Sequence, residues 1–267
     1  MAVEKTILSI IIPTFQAGNT LAASLESIVR QRFHGYEVLV MDGGSTDDTK
    51  AIAERYSHEH PNVHFYSERD RGIYDAMNKG IDKSSGDWIY FLGSDDVLFD
   101  ETVLERIFDN LENIKQDVLY GQVLLSESNT LYLGEFDAEK LVFRNISHQA
   151  LFVRRTVFEK IGKFDLRYKI CADHIHNVKW FFDDQVKKKY VNIVVARFSQ
   201  QGISSQRDDV DKVRDLPGLV MQHAGSWKYF KFYRIRPLVN WFKKKKDLCK
   251  KLFLRFVPTT ILRMPRR

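Results

Sequence analysis

The chain has 267 residues, of which 44% are hydrophobic and 13% aromatic; it can bury one large core or two small ones and is too apolar to stay disordered. Its two cysteines, Cys171 and Cys249, stand at no metal-ligand spacing, which excludes a disulfide framework and predicts a reducing compartment. The net charge of +6 conceals a split: residues 228–267 hold 14 Lys and Arg and one acid, Asp247, a balance of +13 that leaves −7 on the rest.

In chain order, Ile7–Ile12 reads as a buried strand ended by Pro13-Thr14-Phe15, too short to span a bilayer and without a secretory pattern before it. Asn19 or Thr20 is expected to cap a helix carrying Leu21, Leu25, Ile28 and Val29. A second strand over Glu37–Met41 runs into Asp42-Gly43-Gly44-Ser45-Thr46-Asp47-Asp48, where glycines permit a tight turn and Ser45 or Thr46 can cap the next helix. Val63–Tyr66 is a third strand. Gly72–Ile81 then reads as a helix, with Ile73, Met77 and Ile81 on one face and Asp75, Asn78 and Lys79 on another. Trp88–Leu92 is an unbroken apolar run that suits a strand buried on both faces, and it stops at Gly93-Ser94-Asp95-Asp96.

This β-α-β-α-β-α-β order predicts a parallel sheet with helices on both faces. Beyond it, the pattern predicts a helix over Leu104–Ile114, a strand pair over Asp117–Leu125 and Thr130–Leu133, and helices over Thr156–Ile161 and Ala172–Phe182, the latter with Ile175, Val178 and Phe182 inward. A strand over Tyr190–Ala196 and a polar, mobile Gln200–Asp209 segment follow. Leu238–Phe256 is an amphipathic helix with lysines on its polar face.

Three polar clusters therefore end three strands: Pro13-Thr14, Asp42-Gly43-Gly44-Ser45 and Ser94-Asp95-Asp96. In a parallel sheet all three project from the carboxyl edge, where α/β folds bind ligands. Adjacent carboxylates repel and call for a cation; hard oxygen ligands suit Mg²⁺ or Mn²⁺, which complete their shells with substrate phosphates. A solvated Asp-Asp turn is the plain alternative. No G-x-G-x-x-G follows the first strand and no G-x-x-x-x-G-K-[ST] occurs, which argues against a dinucleotide-binding dehydrogenase and a P-loop enzyme.

Leu8–Phe15, Val40–Asp47, Asp70–Gly80 (Asp-Arg-Gly-Ile-Tyr-Asp-Ala-Met-Asn-Lys-Gly) and Phe91–Asp96 together resemble the family 2 glycosyltransferases, strongly over residues 7–98 and more loosely to about 205. The resemblance implies the GT-A fold, an α/β architecture with a mostly parallel central sheet flanked by helices on both faces, here followed by a helical basic extension. It also implies a nucleotide-sugar donor, Mn²⁺ or Mg²⁺, and inversion at the anomeric carbon. On this resemblance Pro13, Thr14, Asp42, Gly43, Ser45, Asn78, Ser94 and Asp95 contact the donor, and His148 the donor diphosphate or the acceptor. Asp42 takes the base, Asp95 is the first choice for the metal with Asp96 beside it, and Asp173 is the general base. Gly93 stands where the family's D-x-D motif has its first Asp, and Gly43 departs from Asp-Asp-Gly-Ser. His148 lies in Ser147-His148-Gln149-Ala150, a recurring family segment. Asp173 and His176 could mimic a metal pair, but no third ligand is near in sequence.

The division expected is a donor half over 1–98, an acceptor half over 99–225 and a membrane-associating tail over 226–267. The tail interleaves aromatics with bases, as membrane-interface helices do; the plain alternative is a tail helix that packs on the body with its lysines in solvent. The protein is therefore expected to be cytoplasmic and peripheral on the inner face of the cell membrane, with a lipid-linked or polysaccharide acceptor and a UDP-sugar donor. The competing readings are a sugar-phosphate nucleotidyltransferase, which would need a glycine-rich basic loop after the first strand, and a nucleic-acid-binding protein, whose body should be basic; no nucleic acid is expected as partner.

Overall fold

The computed structural model describes residues 6–110, 113, 115–132, 134–199 and 209–235. Its strands are β1 (Leu8–Thr14), β2 (Tyr36–Asp42), β3 (Val63–Ser67), β4 (Trp88–Phe91), β5 (Val97–Leu98), β6 (Val118–Leu125), β7 (Thr130–Leu131), β8 (Leu151–Arg154) and β9 (Lys188–Phe198). Its helices are α1 (Leu21–Val29), α2 (Thr49–Glu59), α3 (Ile73–Lys83), α4 (Val103–Phe108), α5 (Ala138–Phe143), α6 (Arg155–Ile161), α7 (Ala172–Phe181), α8 (Val210–Ala224) and α9 (Ser226–Phe230).

Alternation along the strands sorts the core into two layers. Leu8, Ile10 and Ile12 of β1 pack with Leu21, Leu25 and Ile28 of α1, Ala53 of α2 and Ile107 of α4. Ile11 faces the other way, with Met77 and Ile81 of α3 and Ile175 and Val178 of α7. Successive strand side chains point to opposite faces, so a strand covered on both faces is apolar on both; β4 is apolar throughout and β1 apart from Ser9 and Thr14, whose hydroxyls are hydrogen-bonded, and each strand is buried along its whole length.

The sheet runs β3-β2-β1-β4-β8-β6-β9-β5, with β7 on β6. The first four strands are parallel, as the β-α alternation predicts. Beyond β4 the order turns mixed: β8 enters antiparallel between β4 and β6, and β9 is parallel to β6. The sequence pattern does not predict β8, because neither Gly nor Pro separates it from the 3₁₀ turn His148–Ala150 before it or from α6 after it.

Several local expectations change. Asp48, not Ser45 or Thr46, occupies the N-cap position of α2, and Asp47 accepts hydrogen bonds from Thr49 N–H (3.1 Å) and Oγ1 (2.5 Å). Thr20 sits at the N-cap of α1 without a side-chain cap bond. Ile73 is 44% exposed rather than core, since Tyr74 and Met77 fill the inward face of α3. The α4 helix ends at Phe108, short of the predicted Ile114. The helix expected over 238–256 and the segment 200–208 lie outside the described residues.

Candidate active site

β1, β2 and β3 align Thr14, Asp42 and Ser67 across the carboxyl edge of the sheet, and β4 ends beside Ile11. The loops after β1 and β2 are joined by Gln16, whose backbone takes a φ of 51°, a left-handed value uncommon for a residue with a side chain. Its N–H donates to Ser45 Oγ (2.8 Å), and its side-chain oxygen accepts from Thr46 N–H (2.9 Å). Pro13 and Thr14 are buried strand residues; the Thr14 carbonyl accepts from Gly43 N–H at 2.9 Å.

The Asp42 carboxylate, expected to read a base, is 2% exposed and already engaged. It accepts from Ser45 N–H (3.1 Å) and Oγ (2.5 Å), Gly44 N–H (3.2 Å) and Ser67 Oγ (2.6 Å). The residue that closes over this loop is Asp70. A Cβ on Gly43 would lie 2.6 Å from Asp70 Oδ2, so glycine at 43 is what admits that carboxylate. Asp70 Oδ1 accepts from Gly72 N–H at 2.9 Å, and Oδ2 has no hydrogen-bond partner among the described residues. Asn78, expected at the donor, is turned away: its amide pairs with both backbone groups of Phe164, at 2.8 and 3.0 Å. Lys79 binds the Arg69 carbonyl at 2.7 Å.

At the end of β4 the two adjacent carboxylates part company, with Ser94 half-buried before them. Asp95 is exposed. Asp96 is 1% exposed; Oδ2 accepts from Gln149 Nε2 (2.7 Å) and Oδ1 from Ser199 N–H (2.9 Å). Burial, with Asp95 beside it, pushes the Asp96 carboxyl up to about 6. Gly93 explains the departure from D-x-D: a Cβ there would collide with Asp96 Oδ2 and sit 3.0 Å from Asp95 Oδ1. The expected Asp95–Asp96 ligand pair is thus one open carboxylate and one already taken up by protein donors.

The second cluster lines a cleft of about 350 Å³ bounded by Tyr74, Tyr132, Asn145, His148, Asp173 and Lys212. Asp173, in the first turn of α7, is 7% exposed. Oδ1 accepts from Tyr74 Oη (2.8 Å) and His174 N–H (2.9 Å), and Oδ2 from Asn145 Nδ2 (2.7 Å), while His148 Nδ1 stands 3.5 Å from Oδ2. Burial pushes this carboxyl up, but His148 and the Tyr74 hydroxyl outweigh it and hold the group below the usual carboxylate range. His176 does not join it. It stacks on Phe158, its Nε2 meets the Gly162 carbonyl at 3.0 Å, and burial draws it down to about 4. The Asp173–His176 metal pair is therefore excluded by geometry.

Sequence reasoning alone does not single out Asp70, Tyr74, Asn145 or Gln149. Asp70, Tyr74 and Gln149 stand inside the family-like motifs, which is the available signal. Asn145 joins the site only through folding. Among the described residues no three His, Cys, Asp or Glu side chains form a cation site. Asp95 nevertheless fits a Mg²⁺-type ion, which takes one or two carboxylates and fills its shell with water and phosphate oxygens.

A parallel half-sheet with polar loops at its carboxyl edge, beside a cleft holding an ionised buried Asp, defines an α/β enzyme that handles a polar substrate. The model of glycosyl transferase family 2 matches residues 9–174. The PGL/p-HBAD biosynthesis glycosyltransferase of Mycobacterium bovis (strain BCG / Pasteur 1173P2) is 38% identical over 216 residues, covering 78% of this chain and 83% of that protein. The chain belongs to glycosyl transferase family 2 and is a glycosyltransferase. Neither the nucleotidyltransferase nor the nucleic-acid reading is favoured. The GT-A fold is shared with S. aureus TarS 1–349 in complex with UDP-GlcNAc (TM-score 0.68, 16% identity, 81% of this chain and 67% of that one). It is shared also with the mannosyltransferase PcManGT of Pyrobaculum calidifontis in complex with GDP-Man and Mn²⁺ (TM-score 0.59, 17% identity, 82% and 62%). Among the described residues no helix is long and apolar enough to cross a membrane.

Proposed function

We propose that this glycosyltransferase moves a sugar from a nucleotide-sugar, first choice a UDP-sugar, to a hydroxyl of a lipid-linked or polysaccharide acceptor in cell-surface glycan synthesis, with inversion at the anomeric carbon. The observation that carries this reading is Asp173, a buried carboxylate kept ionised at the wall of a cleft. Tyr74 and Asn145 fix its angle, and the long His148 contact leaves Oδ2 a place to accept one more hydrogen bond. An acceptor hydroxyl there gives its proton to Oδ2 as its oxygen bonds the anomeric carbon. The bond from that carbon to the diphosphate breaks, and the diphosphate leaves with the electron pair. A divalent cation on Asp95 would neutralise the charge growing on the leaving diphosphate.

The donor complexes of the structural neighbours, one with Mn²⁺, support a nucleotide-sugar and a divalent ion here. In this reading residues 1–98 serve the donor, 99–225 serve the acceptor, and the basic 226–267 tail, tied to the body by the buried Phe232, holds the protein at the inner face of the cell membrane. The test is a screen of UDP-, GDP- and dTDP-sugars with Mn²⁺ or Mg²⁺, scored by nucleotide release and by the anomeric configuration of the product. One donor class is expected to turn over with inversion. No metal-dependent release from any donor, or a retained configuration, overturns the proposal.

A further inference from the structure

Asp96 sits where three pieces of chain meet. It follows the exposed Asp95 directly, yet its oxygens face inward to Gln149 Nε2 (2.7 Å) and Ser199 N–H (2.9 Å). Gln149 is itself 3% exposed and held at its other polar ends: its side-chain oxygen accepts from Ser147 Oγ (2.5 Å), and its carbonyl from Tyr90 Oη (2.9 Å). Gln149 belongs to the 3₁₀ turn His148–Ala150, so its neighbour in sequence is the imidazole 3.5 Å from Asp173. Ser199 is the residue directly after β9. One carboxylate thus ties the end of β4, next to Asp95, to the wall of the cleft that holds Asp173.

Swinging Asp96 out to a cation beside Asp95 would leave the Gln149 amide and the Ser199 N–H without their acceptor. A buried donor so orphaned costs about tenfold or more in the folding equilibrium. Gly93 is the other half of the arrangement, because any side chain there would displace the inward-facing Asp96.

We propose that Asp96 is a positioning residue rather than a metal ligand: through Gln149 it sets the turn that presents His148 to Asp173, while Asp95 alone faces the cation. The effect on transfer rests on the reading of Asp173 and Asp95 given above; the clasp itself does not.

Hydrogen-bond exchange tests it on the full chain. In Asp96→Asn the new amide N–H₂ meets the Ser199 N–H, donor against donor, or meets Gln149, whose amide must then flip and take from the Ser147 hydroxyl proton the acceptor it has now. In Gln149→Glu two carboxylates oppose each other. In Asp96→Asn with Gln149→Glu every bond is restored. The new amide oxygen accepts from Ser199 N–H, and the new amide N–H₂ donates to the introduced carboxylate, whose other oxygen accepts from Ser147 Oγ.

Three quantities are measured: the ligand-free melting temperature, the His148 ring resonance in histidine-labelled protein, and UDP affinity with Mn²⁺ by calorimetry. Each single variant is expected to melt about 4 °C or more below wild type and to shift His148. The pair is expected to recover both, with UDP–Mn²⁺ affinity within about twofold throughout. By contrast, Asp95→Asn should lose the Mn²⁺ enhancement and leave His148 in place. Loss of the Mn²⁺-dependent affinity in Asp96→Asn, unrescued in the pair, would make Asp96 a ligand and overturn the proposal. So would an unmoved His148 in both single variants, which would leave Asp96 a purely structural bond. If wild type itself ignores UDP with Mn²⁺, the donor reading suffers, while melting and the His148 resonance still decide the clasp.

Discussion

Replacing Asp173 by Asn separates chemistry from folding, because the structure says which hydrogen bonds survive. With the new amide oxygen at the Oδ2 position, the Asn145 donor keeps its acceptor. The N–H₂ then takes the Oδ1 position, facing Tyr74 Oη and the His174 N–H. Tyr74 adapts, since its hydroxyl already reaches the Ile170 carbonyl at 2.7 Å and can accept from the amide. Only His174 N–H loses its partner, at a cost of about 1–3 kcal/mol. Against a typical stability of about 5–15 kcal/mol the variant stays folded, melting roughly 3–10 °C lower. Transfer should fall by about 10²–10⁴, or roughly 3–5 kcal/mol on the barrier, because an amide cannot take the proton. Initial-rate nucleotide release with acceptor gives the first quantity, and UDP–Mn²⁺ calorimetry, expected within about twofold of wild type, controls for donor binding. A folded Asp173→Asn enzyme within tenfold of the wild-type rate would refute the assignment. His148→Gln is the companion variant. If it abolishes transfer while Asp173→Asn loses only a fraction, the imidazole is the base and Asp173 its orienting partner.

Asp95→Asn is expected to keep the fold and lose most turnover at limiting Mn²⁺, because an amide is a poor ligand for a hard cation; near-wild-type rates in a Mn²⁺ titration would count against it. His176 supplies a pH prediction. Its folded value of about 4 lies below the unfolded 6.5, so the stability it contributes is present above pH 6.5 and lost as pH falls toward 4. Between pH 7.5 and pH 5 the urea-derived stability of wild type minus that of His176→Gln should drop by about 2 kcal/mol, other titrations cancelling in the difference; a pH-independent difference would contradict it. Full-length protein should pellet with anionic but not neutral vesicles and be released by salt, and deletion of 228–267 should abolish this; equal behaviour of the two chains removes the membrane assignment.

Strand and helix order in the first half was legible in the chain because it is a matter of local periodicity. Leu8–Ile12, Val38–Met41 and Trp88–Phe91 are apolar almost without a break, and only a strand covered on both faces sustains that. The carboxyl-edge placement of Thr14, Asp42 and Asp95 followed from the same order, since parallel neighbours put their ends together. Asp173 was legible only through its place in a family motif. What the order of residues could not give was the direction of each side chain. Asp95 and Asp96 are equivalent on paper. In the fold one meets solvent and the other meets Gln149 and Ser199, 53 and 103 residues away in sequence. Asn78 and Asp42 carry the right chemistry for a ligand, and in the fold their side chains are bonded to Phe164 and to Ser67. Asp70 enters the loop after β2 through a gap that a glycine leaves. A buried polar group must find a partner, and which partner is within about 3 Å is decided by strands that pair far apart in sequence, such as β8 between β4 and β6, and not by anything local to the residue itself.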